Sequence, residues 1–275
     1  MQLLGTLILL FGINVNSYSQ KMKKLDKSVF HCKYLMTFKN DSIKNTFKED
    51  TVYLDIGKNI TKYYSKYSAL YDSLRLINDK GRAFNKFFNL KSDKHTRVEV
   101  PLNRETVFTH YPTYEDETII DYIGNFQFIY QEKHSKINWV IIKGQTKIIC
   151  GYNCNKAVGE IYGREFTVWF APELKYTSGP WKLKGLPGLI LLAYDTDKDY
   201  KFEAFYLKKN KRRKINLFTE STNIDRNYIK TSREIFLSNW NGITGRWYNL
   251  IKEDTGFYRI KYDGVLPVYR NIELK

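Results

Sequence analysis

Short runs in which apolar and polar residues alternate recur along most of this 275-residue chain. Runs of this kind, rich in Tyr, Phe, Val and Ile and bounded by Gly, Asn or Asp, are typical of β-strands. Three of them follow one another near the start, at residues 30–39, 51–57 and 59–66. Sheet resumes at residues 105–113 and 118–132. The pattern therefore predicts a chain dominated by antiparallel strands.

The longest stretch with strand character is residues 137–174. It predicts a meander of three strands, with turns near Gly144-Gln145 and near Tyr162-Gly163, because glycine suits the positive φ angles of tight hairpin turns.

Two segments show helical signals instead. Leu70 and Leu74 recur on one helical face, Ser68 can cap the start and Gly81 can end the helix. Residues 231–242 carry similar signals, including a capping box. Together with the strands, these segments predict an α+β fold, mainly antiparallel β, with two or three short helices.

The run GLPGLI, residues 185–190, is an unusually apolar turn. Pro187 suits the second position of a type II turn, and Gly188 suits the third, where φ is positive. Gly185 would let the backbone pass close to a neighbour. Residues 189–193 are all apolar, which predicts a strand buried on both faces. The turn is therefore expected to be covered, with Trp169 and Trp181 as the covering side chains.

Several landmarks in a fixed order carry a resemblance to a known family. They are Trp139, Gly151-Tyr152 with Cys154 and Lys156-Ala157, Gly163-Arg164, Trp169-Phe170, Gly179-Pro180 and residues 185–190. In these, residues 30–210 resemble the GLPGLI family of exported proteins, known mainly from Bacteroidetes and of unknown function. That family is itself similar to a bowl-shaped β domain, without catalytic residues, at the N-terminus of a flavobacterial peptide-N-glycosidase.

The resemblance implies a curved sheet or open half-barrel, bowl-like in shape. It also implies binding residues among the family landmarks. These are Trp139, Tyr152, Arg164, Trp169, Pro180, Trp181, Leu186, Pro187 and Gly188.

The N-terminus has the pattern of an export signal. An apolar stretch too short for a spanning helix ends at the small-residue site Ser17-Tyr18-Ser19, followed by a charged run. We expect residues 1–19 to be a signal peptide and residues 20–275 to form a single domain, periplasmic or secreted, with outer-membrane association as one option. An ordinary buried N-terminal segment is the alternative, since the stretch before the apolar residues lacks Lys and Arg.

The three cysteines are Cys32, Cys150 and Cys154. An oxidising compartment permits one bridge, for which Cys150 and Cys154 are the candidates. In a straight strand their Cα atoms would lie about 13 Å apart, so a bridge would need a bend. The alternative is that all three are small buried apolar residues. The four histidines lack ligand spacing, so no metal is expected, and no cofactor either.

A net charge of +16 is spread along the chain, with one dense block at residues 208–214. Strand-like runs flank this block, which predicts a solvated hairpin tip. The alternative is a contact with anionic lipid head groups or polysaccharide. Nucleic acid is not an expected partner of an exported protein, and no other segment is apolar enough to span a membrane.

Catalytic motifs are absent from the sequence: there is no nucleophile elbow, zinc-protease motif or phosphate loop. Glu115, Asp116 and Glu117 form an acidic cluster that suits a solvated loop. The alternating carboxylates of DTDKD, residues 195–199, resemble a calcium loop but lack its glycine and distal glutamate, so a turn is expected. Arg164 can grip an anion or stack on an aromatic ring.

These observations leave two main hypotheses. The first is a non-enzymatic envelope module whose aromatic-lined curved sheet holds an apolar ligand or a segment of an outer-membrane partner, with an exposed aromatic cleft near the turn. The alternative is a glycan- or peptide-directed hydrolase, or its accessory domain. A hydrolase would bring two carboxylates to about 5–9.5 Å from each other. The sequence alone favours the first.

Overall fold

A computed structural model describes residues 22–41, 44–77, 104–123, 126–209, 213–219, 228–238 and 272. The predicted signal peptide, residues 1–19, lies outside this part of the chain, as does Gly81. The strands are β1 (Met22–Asp41), β2 (Thr46–Gly57), β3 (Thr61–Ser65), β4 (Thr106–Thr109), β5 (Asp116–Ile123), β6 (Phe126–Lys133), β7 (Val140–Ile149), β8 (Tyr152–Ile161), β9 (Arg164–Ala171), β10 (Leu189–Asp195), β11 (Tyr200–Lys209), β12 (Lys214–Phe218) and β13 (Ile229–Lys230). The helices are α1 (Lys66–Ile77) and α2 (residues 233–238).

Twelve of the thirteen described strands follow the order β13-β6-β5-β4-β3-β2-β1-β11-β10-β9-β8-β7, and β12 joins the same sheet by pairing with β1. Every pairing is antiparallel except that of β13 with β6. The sheet is not closed, since β13 and β7 form its two ends in the described part of the chain. The prediction of a mainly antiparallel β fold with two short helices is confirmed.

The 20-residue strand β1 organises the centre of the sheet. Its second half pairs with β11, and its first half pairs with β12. These two strands therefore lie end to end along β1 and do not pair with each other. The prediction of a hairpin around residues 208–214 is wrong. Because β1 is 20 residues long, the strands before and after this block pair with different parts of β1.

The core lies mainly on one face of the sheet. It is built from alternate positions of the central strands, such as Phe30, Cys32 and Tyr34 on β1. The apolar run at residues 189–193 is buried throughout, as predicted for β10. A second, smaller cluster on the opposite face includes Phe108 and Ile120. Apolar side chains thus pack on both faces of the sheet, which explains why apolar and polar residues do not alternate along some strands.

The predicted meander forms from β7, β8 and β9, but its first turn lies elsewhere. Cys150 and Gly151 have φ values of 51° and 81°, and Tyr162 and Gly163 have 49° and 78°. Two successive positive φ angles are the pattern of two-residue hairpin turns. Gly144 lies instead at an irregularity within β7, where the register with β8 shifts.

Both helices begin at a serine other than the predicted cap. Ser65 Oγ accepts the Ser68 backbone N–H at 3.1 Å, so the cap of α1 lies three residues before the predicted cap, Ser68. Ser232 Oγ accepts the N–H of Ile235 at 3.3 Å at the start of α2. Neither described helix combines the length and the apolar character that crossing a membrane requires.

Candidate functional site

The GLPGLI segment, residues 185–190, folds back on the chain just before it. The N–H of Gly185 donates to the carbonyl of Thr177 at 2.9 Å, and that of Ile190 donates to Ser178 at 3.0 Å. Leu189 closes the base of this fold with a hydrogen bond to Leu174 at 3.0 Å. The segment is therefore held as a compact unit between β9 and β10.

The two glycines of this segment have the opposite roles to those predicted. Gly185 has the positive φ, +94°, and a Cβ there would make only an ordinary contact, 3.9 Å from Trp139 Nε1. Gly188 has no such φ, but a Cβ there would lie 2.4 Å from the carbonyl oxygen of Ala171. Its N–H donates to Leu186 across Pro187 at 2.8 Å, a turn one residue tighter than the predicted type II turn. Gly188 is thus required for close backbone packing, and Gly185 for conformation.

An indole that covers the segment is that of Trp139, which is not one of the two predicted covering side chains, Trp169 and Trp181. Its Nε1 donates to the carbonyl of Lys184 at 2.8 Å. Its ring also lies against Gly159, where a Cβ would approach Trp139 to 2.6 Å. The position of Gly159 on β8 therefore fixes the indole over the turn.

The other residues from the family landmarks lie mostly in the core. Trp181, Pro180 and Leu186 are buried, Tyr152 and Trp169 are partly buried against the core, and Pro187 is exposed. The aromatic rings near the turn thus pack inward. The expected exposed aromatic cleft is not formed by these residues.

Arg164 belongs to a buried ionic cluster at the ends of β9, β10 and β11. Its guanidinium donates to Asp195 at 2.5 Å and to Asp199 at 3.3 Å, with all three side chains about 1% exposed. It also lies 5.1 Å from the centre of the Tyr200 ring. Lys39 adds a second cation to Asp199 at 2.7 Å. We call these four charged residues the Arg164 cluster.

The Arg164 cluster bears on two predictions from the sequence: the role of Arg164 and the possible cation site at residues 195–199. Arg164 is committed to internal carboxylates, so it does not present its charge to an external anion. Carboxylate oxygens of Asp195, Asp197 and Asp199 lie within 4.8 Å of one another, as in a cation site. Asp195 and Asp199 already bind the Arg164 guanidinium, and the positive charge of that group opposes binding of a divalent cation. Burial raises the pKa of Asp199, but Lys39 and Arg164 outweigh this and lower it below 3.8.

A second ionic cluster joins two distant parts of the sheet. Glu117 on β5 and Glu132 on β6 are register partners, so their side chains share one face. Glu117 pairs with Lys184, and Glu132 pairs with Lys182 at 2.6 Å. We call these two pairs the lysine clamp. Because β5–β6 and the segment before β10 are far apart in strand order, the clamp requires the sheet to curve.

The clamp has further contacts on its Glu132 side. The Tyr162 hydroxyl donates to Glu132 at 3.1 Å, and Arg233 of α2 lies 3.6 Å from the same carboxylate. The Arg233 guanidinium is also 4.4 Å from the centre of the Tyr162 ring. Lys182 lies 4.8 Å from that ring, with a fully buried side chain. Aromatic faces and carboxylates together stabilise the buried cation.

The Glu117 side of the clamp is more enclosed. Glu117 is fully buried, and its Oε2 has no hydrogen-bond partner in the structure. Burial lowers the pKa of Lys184, and Glu117 opposes this only in part. Burial also lowers the pKa of the nearby His134, and the positive charge of Lys184 adds to that effect. Burial at this end of the clamp thus disfavours positive charge on Lys184 and His134, and Glu117 opposes that effect.

The clamp places two carboxylates side by side, as the hydrolase hypothesis required. Directly opposed residues in an antiparallel pair have Cβ atoms about 4.5–5.5 Å apart. Each carboxylate, however, is neutralised by a lysine, and Glu117 has no exposed surface. The geometry therefore holds the GLPGLI segment in place rather than presenting a free acid and base to a substrate.

The cysteines are free thiols. Cys32 and Cys154 are buried, and Cys150 is exposed at its turn. Cys150 donates to the carbonyl of Ala204 at 3.0 Å. Burial raises the pKa of Cys154 to about 11 and also raises that of Cys150. The structure thus contains no Cys150–Cys154 bridge and agrees with buried apolar cysteines for two of the three.

Sequence reasoning missed most of the clamp. Glu132, Lys182 and Lys184 are not among the residues that the sequence predicts for a site. Glu117 is predicted to lie in a loop but lies on β5. One signal was available: Lys182 and Lys184 alternate with apolar residues in an otherwise buried stretch. A lysine in such a position needs a carboxylate partner.

An open, mostly antiparallel sheet with apolar clusters on both faces and buried ion pairs is the class of domain that these features define. The family model described as "N-glycanase peptide, N-terminal domain" matches residues 82–231, just over half of the chain. The chain belongs to this family of N-glycanase N-terminal domains.

The structural comparison supports the same fold. PNGF-II in space group P21 resembles the chain with a TM-score of 0.50 and 16% identity, over 77% of this chain and 33% of that one. PNGF-II in space group C2 gives a TM-score of 0.48 and 16% identity, over 76% and 32%. The chain therefore spans about a third of the length of these structures. No curated protein matches it.

The family match corrects the functional hypothesis that the sequence favoured. A non-enzymatic envelope module for an apolar ligand is wrong as the main interpretation. A domain of the N-glycanase family favours the alternative, a glycan-directed hydrolase or its accessory domain.

Proposed function

We propose that this chain is a glycan-directed accessory domain that works with a catalytic domain of the N-glycanase type. The observation that carries the proposal is the family match over residues 82–231. An N-glycanase releases glycans from asparagine, so its N-terminal domain meets substrates that carry N-linked glycans. A domain of this family is accordingly expected to contact a glycoprotein.

The lysine clamp supports an accessory rather than a catalytic role. Hydrolysis of a glycosidic or amide bond needs a group that can exchange a proton with the substrate. Glu117 is fully buried and Glu132 is bound by Lys182. Neither carboxylate has the access that this chemistry demands.

The remaining expectations from the sequence form part of the proposal. The chain would be exported through residues 1–19, and it would also be a member of the GLPGLI family. Its sheet would form a shallow bowl. The ion pairs of the lysine clamp, which bend the sheet, support this shape.

Calorimetric titration with an N-glycopeptide tests the proposal, with the same peptide carrying unmodified asparagine as control. We expect the glycopeptide to bind at least about tenfold more tightly, a difference of about 1.4 kcal/mol. Equal affinities, or no binding of either peptide, would overturn the proposal.

Mass spectrometry of the incubated glycopeptide separates accessory from catalytic function. We expect the chain alone to leave the glycan attached. Release of the glycan that is lost in Glu132→Gln but kept in Glu115→Gln would show a catalytic carboxylate in the clamp. Glu115 is a matched control because it is a glutamate near the clamp whose side chain is 75% exposed.

A further inference from the structure

Arg213 lies at the surface on the face of the sheet opposite the main core. Phe30 and Cys32 of β1 belong to that core, so His31 between them points to the opposite face. Arg213 reaches His31 from the residue before β12, and its carbonyl accepts the N–H of Ser28 on β1 at 2.9 Å. The Arg213 side chain is 41% exposed. Its backbone is thus anchored while its charge reaches solvent.

Three buried side chains hold the Arg213 guanidinium in place. Its Nη2 donates to the Tyr64 hydroxyl at 2.7 Å, and its Nη1 lies 3.4 Å from His31 Nε2. Its Nε lies 3.5 Å from the carboxylate of Asp55. All three partners are less than 5% exposed. The position of the guanidinium is therefore fixed from below.

The hydrogen bonds beneath Arg213 run in one direction. A guanidinium only donates, so His31 Nε2 accepts from Arg213 and His31 Nδ1 carries the ring hydrogen. That Nδ1 donates to Asp55 at 2.8 Å, and the Tyr64 hydroxyl donates to the same carboxylate at 2.6 Å. Asp55 thus orients both groups that accept from Arg213.

The guanidinium keeps donors for a ligand. It has five N–H groups, more than the contacts to Tyr64, His31 and Asp55 use. Planar N–H pairs of arginine match a carboxylate in a bidentate contact. Because buried groups already fix the side chain, little rotamer freedom is left to lose on binding.

A lysine between two tyrosines lies next to Arg213. Lys33 of β1 is the register partner of Tyr53 on β2 and of Tyr206 on β11, so the three form one row across the sheet. The Lys33 ammonium lies 5.9 Å and 4.8 Å from the centres of these two rings. Burial raises the pKa of Tyr53, and the charge of Arg213 opposes that rise. The Arg213 charge therefore acts on this row.

Positive charge dominates around Arg213. Lys208, Lys209 and Lys214 are exposed members of the basic block at residues 208–214, and Lys208 is the register partner of His31. Asp55, the carboxylate beside Arg213, is buried and accepts hydrogen bonds from inside the protein. The exposed side of this surface thus offers cations and tyrosine rings. An acidic sugar matches it, since it combines a carboxylate with a ring that packs on aromatic side chains.

We propose that this surface binds an acidic sugar of the glycan, with Arg213 and Lys33 contacting its carboxylate and Tyr206 packing against its ring. The inference rests on the proposed function for the presence of a glycan, and it adds the class of sugar and the place of contact. The lysine clamp is built from β5, β6 and the segment before β10, so the two sites share no residue.

Calorimetric titration with two matched N-glycopeptides tests this inference. One carries a glycan that ends in a sugar with a free carboxylate, and in the other that carboxylate is converted to an amide. We expect the acidic form to bind about tenfold more tightly, because hydrogen bonds to a charged group are the stronger ones. The difference should shrink at high salt, since the surface is exposed.

Variants locate the contact. Arg213→Gln is expected to remove most of the preference for the acidic form, and Lys33→Gln to reduce it about threefold, as a second cation at an exposed site. Lys147→Gln is the matched control, because Lys147 is an exposed lysine on β7, at the far end of the sheet. Its preference should equal that of the unaltered chain.

The outcomes separate the two proposals. Equal binding of the acidic and amide forms overturns the acidic-sugar site and leaves the proposed function intact. Absence of binding of both forms overturns the proposed function and the site with it. A preference that Lys147→Gln reduces as much as Arg213→Gln does reflects overall charge and also overturns the site. Circular dichroism identifies a variant that fails to fold, and if Arg213→Gln does so, Lys33→Gln decides.

Discussion

The GLPGLI segment and the lysine clamp differ in how visible they are in the sequence. The segment carries the most recognisable motif of the chain, yet Trp139 and the lysine clamp close it. The clamp has no motif, but its two ion pairs join the residues just before the segment to β5 and β6. The difference teaches that a conspicuous motif can record the demands of packing, while the contacts that hold it come from residues without a motif.

A second contrast lies in the burial of the charged residues. In the Arg164 cluster and the lysine clamp, charged side chains pair with each other inside the protein. The pair between Lys201 and Glu203 lies at the surface instead. Substitutions in the buried clusters should therefore affect stability much more than substitutions in the surface pair.

The largest expected effect is that of Arg164→Met. Removing this guanidinium leaves Asp195 and Asp199 buried with less compensation, so we expect a loss of about 3–5 kcal/mol in the free energy of unfolding. Urea unfolding measures it. Lys201→Met is the control: Lys201 and Glu203 form a pair at 2.5 Å, but both are nearly half exposed. Its loss should be within about 0.5 kcal/mol. Similar effects in the two variants would contradict a structural role for the Arg164 cluster.

The next effect compares the two glycines of the GLPGLI segment. In Gly188→Ala the new Cβ meets the backbone of Ala171, which cannot move easily, so we expect about 3 kcal/mol of destabilisation. In Gly185→Ala the new Cβ makes only an ordinary contact with Trp139 at 3.9 Å, so the variant costs only the strain of its positive φ, about 1 kcal/mol. Denaturant midpoints rank the two variants. The reverse order would mean that the segment packs differently.

The smallest effect concerns the pH dependence of stability near His134. Burial and Lys184 hold the pKa of His134 below 6.5 in the folded state. The unfolded chain therefore binds this proton more readily, and stability falls as the pH drops through 6.5 towards the folded-state pKa. We expect His134→Gln to flatten the dependence in this range, measured by unfolding at several pH values. An unchanged dependence would exclude His134 as its source.

Much of the fold was predictable because it depends on local patterns. Alternating residues predicted the strands of the meander, and the apolar run at residues 189–193 predicted a strand buried on both faces. Local signals also placed both helices, although the caps are Ser65 and Ser232 rather than the expected Ser68 and Thr231. Several serines near a helix start can serve as the cap, and the sequence does not rank them.

The remaining features depend on contacts between distant residues. The local pattern predicts a hairpin at residues 208–214, because it does not reveal that β1 pairs with both flanking strands. Glu117 and Lys184 are separated by 67 positions and meet only because the sheet curves.

The most direct test is an amide-resolved NMR titration of the chain with the N-glycopeptide. We predict that amide signals elsewhere in the chain shift, while those of Trp139 and residues 185–190 stay in place, because the lysine clamp and the Trp139 hydrogen bond close this segment. Shifts centred on Trp139 and residues 185–190, or no shift anywhere, would contradict the account.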